Sequence, residues 1–151
     1  MSAYKRELSL DLPCVHRAVR IGRKVVQSFA RTDGLEEDEI ERLMLVTSEL
    51  LANAVDHGGG NAAMSEEDLS SDVRMRLRLV VQDIGWTLEI EDSGGGSEAE
   101  ATSLLANADL PDLEDERGRG LFLVRGMVDE FHVKSSEIGL IFLAIKRLPR
   151  A

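Results

Sequence analysis

Two polar residues inside a helical stretch are the first candidates for chemistry. Glu49 and Asn53 lie four residues apart, which places both side chains on one face of a helix, one turn apart. Asn is a poor helix-interior residue because its amide competes for backbone hydrogen bonds. A carboxylate and a carboxamide at this spacing could supply a general base and an oxygen ligand for a metal. An exposed Glu–Asn pair on a helix, however, usually has no function.

A second candidate segment follows a predicted strand and runs from Asp92 to Gly96 as Asp-Ser-Gly-Gly-Gly. A carboxylate at a strand end can accept a hydrogen bond from an exocyclic amine such as that of adenine. Gly94 and Gly96 would let the backbone approach a flat base and hinge a lid. Because Asp-Ser-Gly also favours a simple tight turn, this segment alone does not distinguish the two interpretations.

Glycines and arginines precede a predicted helix near residue 120. Gly118 and Gly120 would leave backbone N–H groups free at the helix N-terminus, where the dipole favours anions. Arg117 and Arg119 add the local positive charge that a polyphosphate requires. The segment is not a Walker A loop, since Gly-Lys-Ser/Thr is missing, nor a dinucleotide fingerprint, since the third glycine is missing. A glycine-rich helix start with solvated arginines remains the alternative.

Predicted helices and strands must position these residues. Apolar residues recur at helical spacing over 15–29 and 35–57, whereas charged and apolar residues alternate over 74–81 and 86–91. Pro13 suits the first turn of the first helix, and Gly58–Gly60 is expected to end the second. We expect further strands at 5–10, 131–134 and 140–146, and a helix at 121–128.

Two connecting segments are expected to lack regular structure. Residues 58–72 are small, polar and acidic, which predicts a flexible connection. Residues 93–117 form a long loop with at most a short helix, and such loops are usually functional lids or disordered. The remaining elements predict an α/β (α+β) two-layer sandwich, in which a mixed, mostly antiparallel sheet is covered on one face by helices.

Length and composition restrict the class of protein. With 151 residues, the chain is expected to form a single domain, residues 1–151. The formal net charge of −10 argues against direct binding to nucleic acid, and the sequence has neither a membrane-spanning run nor the apolar centre of a signal peptide. The single cysteine, Cys14, suits a small core residue in a reducing compartment. We therefore expect a cytoplasmic protein without a membrane partner.

The three candidate segments, in this order, resemble the motifs of the GHKL ATPase superfamily, which has the Bergerat ATP-binding fold. The resemblance extends from Leu8 to Lys146. Within the superfamily, the small size and the stretch 109–125 are similar to the anti-sigma-factor serine/threonine kinases of bacteria. The matching segments are Glu49-x-x-x-Asn53-Ala54 for the N box, Asp92-Ser-Gly94-Gly-Gly96 for the first glycine box and Gly118-x-Gly120-Leu121 for the second.

The resemblance implies that ATP and Mg²⁺ bind to these segments. Asn53 would help to hold Mg²⁺ against the phosphates, Glu49 would be the general base at the attacking hydroxyl, and Asp92 would bind the adenine amine. His57, two turns beyond Glu49, is explained equally well as a phosphate contact or as a cation near a helix C-terminus. Gly94 and Gly96 would shape the base pocket and lid hinge, and the phosphate end would be lined by Arg117, Gly118, Arg119, Gly120 and Leu121.

The same resemblance implies a function and partners. A kinase of this type would transfer the γ-phosphoryl group of ATP to a Ser or Thr of an anti-anti-sigma protein of the STAS type, and would bind a sigma factor. Family members often dimerise, so a homodimer stays open. Arg17, Arg20 and Arg23 on the first helix are either partner contacts or simply its solvated face.

Two other functions stay open from the sequence. A non-catalytic, nucleotide-gated module that holds a partner is favoured by one departure from the family pattern: Gly139-Leu140 stands where the family carries Gly-Thr. Loss of that hydroxyl is expected to weaken the water network around Asp92. The catalytic half of a histidine kinase is disfavoured, because we expect no phosphoacceptor helix ahead of the first strand. Glu49 is the residue that distinguishes a kinase from a binding module.

Overall fold

Strands and helices alternate in groups along the part of the chain that the structure describes. The structure is a computed structural model that describes residues 5–57, 73–109 and 116–149. The predicted connection at 58–72, with its helix-ending glycines, lies outside these residues. The elements are β1 (Lys5–Pro13), α1 (His16–Thr32), α2 (Glu37–His57), β2 (Arg74–Gln82), β3 (Gly85–Asp92), α3 (Glu98–Asp109), α4 (Glu116–Met127), β4 (Glu130–Ser135) and β5 (Leu140–Arg147).

The described strands form one sheet in the order β1-β2-β3-β5-β4. Every pair of neighbours in this sheet is antiparallel. The sequence predicted a mixed, mostly antiparallel sheet, whereas the described strands include no parallel pair. The helices cover one face of it, which confirms the two-layer α/β sandwich. The carboxyl end of the central strand β3 lies beside the start of β5, and this proximity brings Asp92 close to Leu140.

Alternation of side chains along each strand produces the single buried face. In β2, Met75, Leu77 and Leu79 are buried, whereas Arg76 and Arg78 lie on the open face. Such a period of two is what a sheet requires when one face packs against helices and the other meets water. The buried side chains of the sheet form one core with the apolar stripes of the helices.

Helix α2 is the main support of the candidate site. Its first turn carries Glu37, Asp38 and Glu39, whose charges are favourable at the positive end of the helix dipole. The indole N–H of Trp86 in β3 donates to Oε1 of Glu39 at 3.1 Å, so the start of the helix is tied to the sheet. Leu43, Leu50 and Leu51 of this helix are fully buried in the core. None of the described helices, including the 21-residue α2, is long and apolar enough to cross a bilayer.

Three predicted boundaries were wrong, each for a physical reason. Pro13 ends β1 instead of entering α1, because β1 is an edge strand and its missing N–H is tolerated there. The segment 93–117 contains the twelve-residue helix α3, whose alanines are strong helix formers and bury Ala101 and Ala108. Helix α4 begins at Glu116 rather than at residue 121, so Gly118 lies in its first turn and Gly120 just beyond that turn.

Candidate functional site

Asp92 is a buried carboxylate at the end of β3, with only 1% of its surface exposed. Its Oδ1 accepts hydrogen bonds from the backbone N–H of Leu140 at 3.1 Å and of Gly94 at 3.3 Å. Its Oδ2 is buried and has no hydrogen-bond partner among the described residues. A buried acceptor without a donor is costly, so this oxygen is chemically suited to receive an amine donor from a ligand.

The protonation of Asp92 follows from the same environment. Burial raises the pKa of Asp92, because the charged carboxylate loses its hydration. The hydrogen bonds from Leu140 and Gly94 and the positive charge of Arg117 act in the opposite direction, and the burial effect is the larger. A donor that bonds to Oδ2 would favour the charged carboxylate further.

Two glycines are required by the close packing around Asp92. A Cβ atom on Gly139 would lie 2.3 Å from both the backbone oxygen and Oδ1 of Asp92, and one on Gly96 would lie 2.6 Å from Cγ of Leu140. Neither position has room for a side chain without movement. The motif in the sequence predicts a role for Gly96, whereas the need for glycine at 139 follows only from its contact with Asp92 in the folded chain.

The loop after β3 is fastened to the turn between β4 and β5. The backbone N–H of Gly95 donates to the carbonyl of Ile138 at 2.9 Å, and Gly95 adopts a φ of 77°, a left-handed conformation that glycine adopts without strain. Gly94 contributes its N–H to Asp92. The glycine run therefore positions the carboxylate.

Glu49 and Asn53 lie on one face of α2, as their spacing predicts. Asn53 is 7% exposed, and its Oδ1 accepts a hydrogen bond from Nε of Arg117 at 2.8 Å. Its Nδ2 is buried without a hydrogen-bond partner among the described residues. Glu49 lies against α4: a Cβ atom on Gly120 would be 2.7 Å from its Oε2. The turns of α2 and α4 that carry these residues are thus in direct contact.

A small cavity of about 70 Å³ occupies this corner of the molecule. It brings together five predicted site residues, Glu49, Asn53, Arg117, Gly120 and Leu121. His57 also lines it, next to Ala52 and Asp56. The predicted residues Gly118, which is buried, and Arg119, which is exposed, do not line it.

Arg117 connects the separate parts of the site. Its side chain is 14% exposed and forms an ion pair with Glu100 of α3 at 3.7 Å, besides its bond to Asn53. Its charge also acts on Asp92. Glu100 was not among the predicted site residues, because the sequence predicted a loop with at most a short helix over 93–117. The available signal was the pair Ser97 and Glu100, whose spacing of three residues is typical of a helix N-terminus.

The donor set can be tested against the ligands that the sequence implied. Among the described residues, no group of three or more His, Cys, Asp or Glu side chains could hold a metal by itself. Mg²⁺ bound to a nucleotide needs only one or two protein oxygens, since phosphates and waters complete its shell. Because a guanidinium can only donate, the Asn53 atom that faces Arg117 is its oxygen. That oxygen therefore already contacts a cation. Asn53 fits Mg²⁺, and the unpaired Oδ2 of Asp92 fits an adenine amine.

Sequence comparison gives one family. Residues 13–145 match the family described as histidine kinase-like ATPase domain. No curated protein matches the chain in sequence.

Two solved structures have a similar fold. The crystal structure of the RsbU and RsbW domains of Rv1364c from Mycobacterium tuberculosis has a TM-score of 0.65 at 17% identity, over 96% of this chain and 34% of that one. This chain therefore spans only a fraction of the mycobacterial one. The SiaB-SiaC complex from Pseudomonas aeruginosa has a TM-score of 0.68 at 12% identity, over 91% of this chain and 88% of that one. At these identities the similarity establishes a common fold.

Proposed function

Because the chain belongs to the family of histidine kinase-like ATPase domains, we propose that it is a cytoplasmic, ATP-dependent serine/threonine protein kinase of the anti-sigma type. Its substrate is a STAS-type anti-anti-sigma protein, and it binds a sigma factor. One observation carries this assignment: a carboxylate, Glu49, and a cation-contacting amide oxygen, of Asn53, line the same cavity at the contact of α2 with α4.

ATP supplies the γ-phosphoryl group when bound, and Mg²⁺ neutralises the charge on its phosphates. Asp92 would accept a hydrogen bond from the adenine amine at Oδ2, while Leu140 and Gly94 hold its other oxygen in place. Asn53 would offer Oδ1 to the metal. Glu49 takes the proton from the serine or threonine hydroxyl of the partner, so that the oxygen becomes a better nucleophile.

A protein partner is supported by two observations. The fold neighbour from Pseudomonas aeruginosa is itself described as a complex of two proteins, SiaB and SiaC. In the present chain, a surface cavity of about 640 Å³ lies between α1 and α2. Its α1 side carries Arg20, Arg23 and Lys24, a basic cluster in a protein with a net charge of −10. This cluster would attract an acidic partner surface.

A non-catalytic, nucleotide-gated binding module is the second candidate. One observation favours it: Leu140, which stands in place of the hydroxyl-bearing residue of the family pattern, offers only its backbone N–H to the carboxylate of Asp92. In this alternative, nucleotide changes the affinity for the partner, and Glu49 is a structural neighbour of Gly120.

Phosphoryl transfer from labelled ATP to candidate anti-anti-sigma proteins would test the assignment. Glu49→Gln should abolish transfer and leave ATP binding in place, because the amide cannot accept the proton. Asp38→Asn is a matched control, since it removes a carboxylate from an exposed position of the same helix. Transfer that survives in Glu49→Gln would exclude Glu49 as the base, and regulation by ATP without any transfer would favour the binding module.

A further inference from the structure

Arg117 holds the oxygen atom that a metal would need. Its Nε donates to Oδ1 of Asn53 at 2.8 Å, and the contact joins residues 64 positions apart in the chain. The guanidinium is mostly buried and also pairs with Glu100 on α3. It is therefore positioned from two helices and is not a freely rotating surface side chain.

A guanidinium and a metal ion cannot share this oxygen at low cost. Mg²⁺ binds oxygen at about 2.0–2.1 Å, so a metal on Oδ1 would lie within a few ångströms of the Arg117 charge. Two cations at that distance repel strongly in a partly buried site. A metal can therefore bind Oδ1 only when Arg117 has left Asn53.

We propose that Arg117 is an internal competitor of Mg²⁺ for Asn53: it stays on Oδ1 while the site holds no metal, and it leaves Oδ1 when Mg²⁺ binds with the nucleotide. This inference rests on the proposed ATP site and adds its regulation. Arg117 keeps the amide of Asn53 oriented in the free protein, with Glu100 as its second partner. Part of the free energy of metal binding is therefore used to displace Arg117.

The dependence of nucleotide affinity on Mg²⁺ tests this exchange. The Kd of a non-hydrolysable ATP analogue is measured by calorimetry in excess Mg²⁺ and in EDTA, and the ratio of the two values is compared between variants. In Arg117→Gln, both affinities should fall, because a positive charge beside the phosphates is lost from each complex. The ratio of Kd in EDTA to Kd in Mg²⁺ should nevertheless rise about tenfold, the order expected for release of one charge-assisted hydrogen bond. The loss of that charge affects both Kd values and cancels in their ratio.

Control variants separate competition from a structural effect. Arg125→Gln makes the same change on the same helix, at a residue paired with Asp109, and should leave the ratio unchanged. In an Asn53→Ala background, Arg117→Gln should no longer alter the ratio, since the contested oxygen is gone. If Arg117→Gln does not fold, Arg117→Met serves instead, because it keeps the apolar stem but removes both the charge and the N–H donors that bond Asn53.

The possible outcomes distinguish this inference from the proposed function on which it rests. A raised ratio in Arg117→Gln but not in Arg125→Gln supports the exchange. An unchanged or lowered ratio, with nucleotide still bound, would overturn the role of Arg117 and leave the ATP site standing. Absence of analogue binding to the wild-type chain under both conditions would overturn the ATP site and this exchange together.

Discussion

The backbone N–H of Leu140 donates to Oδ1 of Asp92 at 3.1 Å, across 48 positions of sequence. Leu140 stands where the family pattern has a residue with a hydroxyl group, and its own side chain has none. Its backbone N–H nevertheless holds the carboxylate of Asp92 in place. The side chain of Leu140 is buried against Gly96. Orientation of Asp92 therefore depends on the path of the backbone at 139–140 more than on the side chain at 140.

Gly139→Ala is expected to disturb this contact directly. The added Cβ would lie 2.3 Å from Oδ1 and from the backbone oxygen of Asp92, so the two segments must separate. We expect a loss of about 1–3 kcal/mol in the free energy of unfolding, the range for overpacking, together with weaker nucleotide binding. Chemical denaturation and calorimetry measure the two effects. Ile138→Ala, an exposed residue in the same turn, is the control and should change neither; an equally small effect of Gly139→Ala would contradict the close contact.

The raised pKa of Asp92 has a consequence for stability. Because its pKa is higher in the folded protein than in the unfolded chain, the stability linked to this group is fully present where both states are protonated. It is lost as pH rises from the ordinary carboxyl range through the raised pKa. Asp92→Asn lacks this titration. We expect the unfolding free energy of Asp92→Asn, minus that of the wild type, to increase as pH rises through the raised pKa and to stay constant above it. Unfolding measured from acid to neutral pH gives this difference, and a constant value over the whole range would contradict a raised pKa.

Gly120→Ala tests the contact between α4 and Glu49. The new Cβ would lie 2.7 Å from Oε2 of Glu49 and would push the carboxylate aside. If Glu49 is the general base, transfer to the partner should slow by about tenfold to a hundredfold, the cost of a displacement near 1 Å. Gly126→Ala on the same helix meets nothing within 4 Å. It should leave transfer unchanged and gain up to about 1 kcal/mol from helix propensity; equal rates in both variants would argue against a role for Glu49.

Cys14 should be inert towards thiol reagents in the native protein. Burial, with smaller contributions from the charges of Asp92 and Asp56, raises its pKa to about 11. Its Sγ also donates to the carbonyl of Ala54 at 3.2 Å. Because only the thiolate reacts, alkylation at pH 8 should be at least about a hundredfold slower in the folded protein than in denaturant. Comparable alkylation rates in the folded and denatured protein would show that the contact between Cys14 and α2 opens readily.

Much of this arrangement was readable from the sequence because it depends on local spacing. The i, i+4 relation of Glu49 to Asn53 follows from helical geometry alone, and the alternation in β2 and β3 fixes which side chains face the core. The three motif segments are each short and contiguous. Their order along the chain was therefore sufficient to predict the family, which the match over residues 13–145 confirms.

What the sequence could not determine are the contacts between segments distant along the chain. The bond from Arg117 to Asn53 and the bond from Leu140 to Asp92 join residues 64 and 48 positions apart. They exist because α4 packs on α2 and β5 pairs with β3, and no local propensity encodes either approach. Sequence alone thus supplied the residue types of the proposed nucleotide site. Only the tertiary structure decided that the side-chain oxygen of Asn53 is bonded to Arg117, because that contact depends on which charges the folded chain brings within hydrogen-bonding distance.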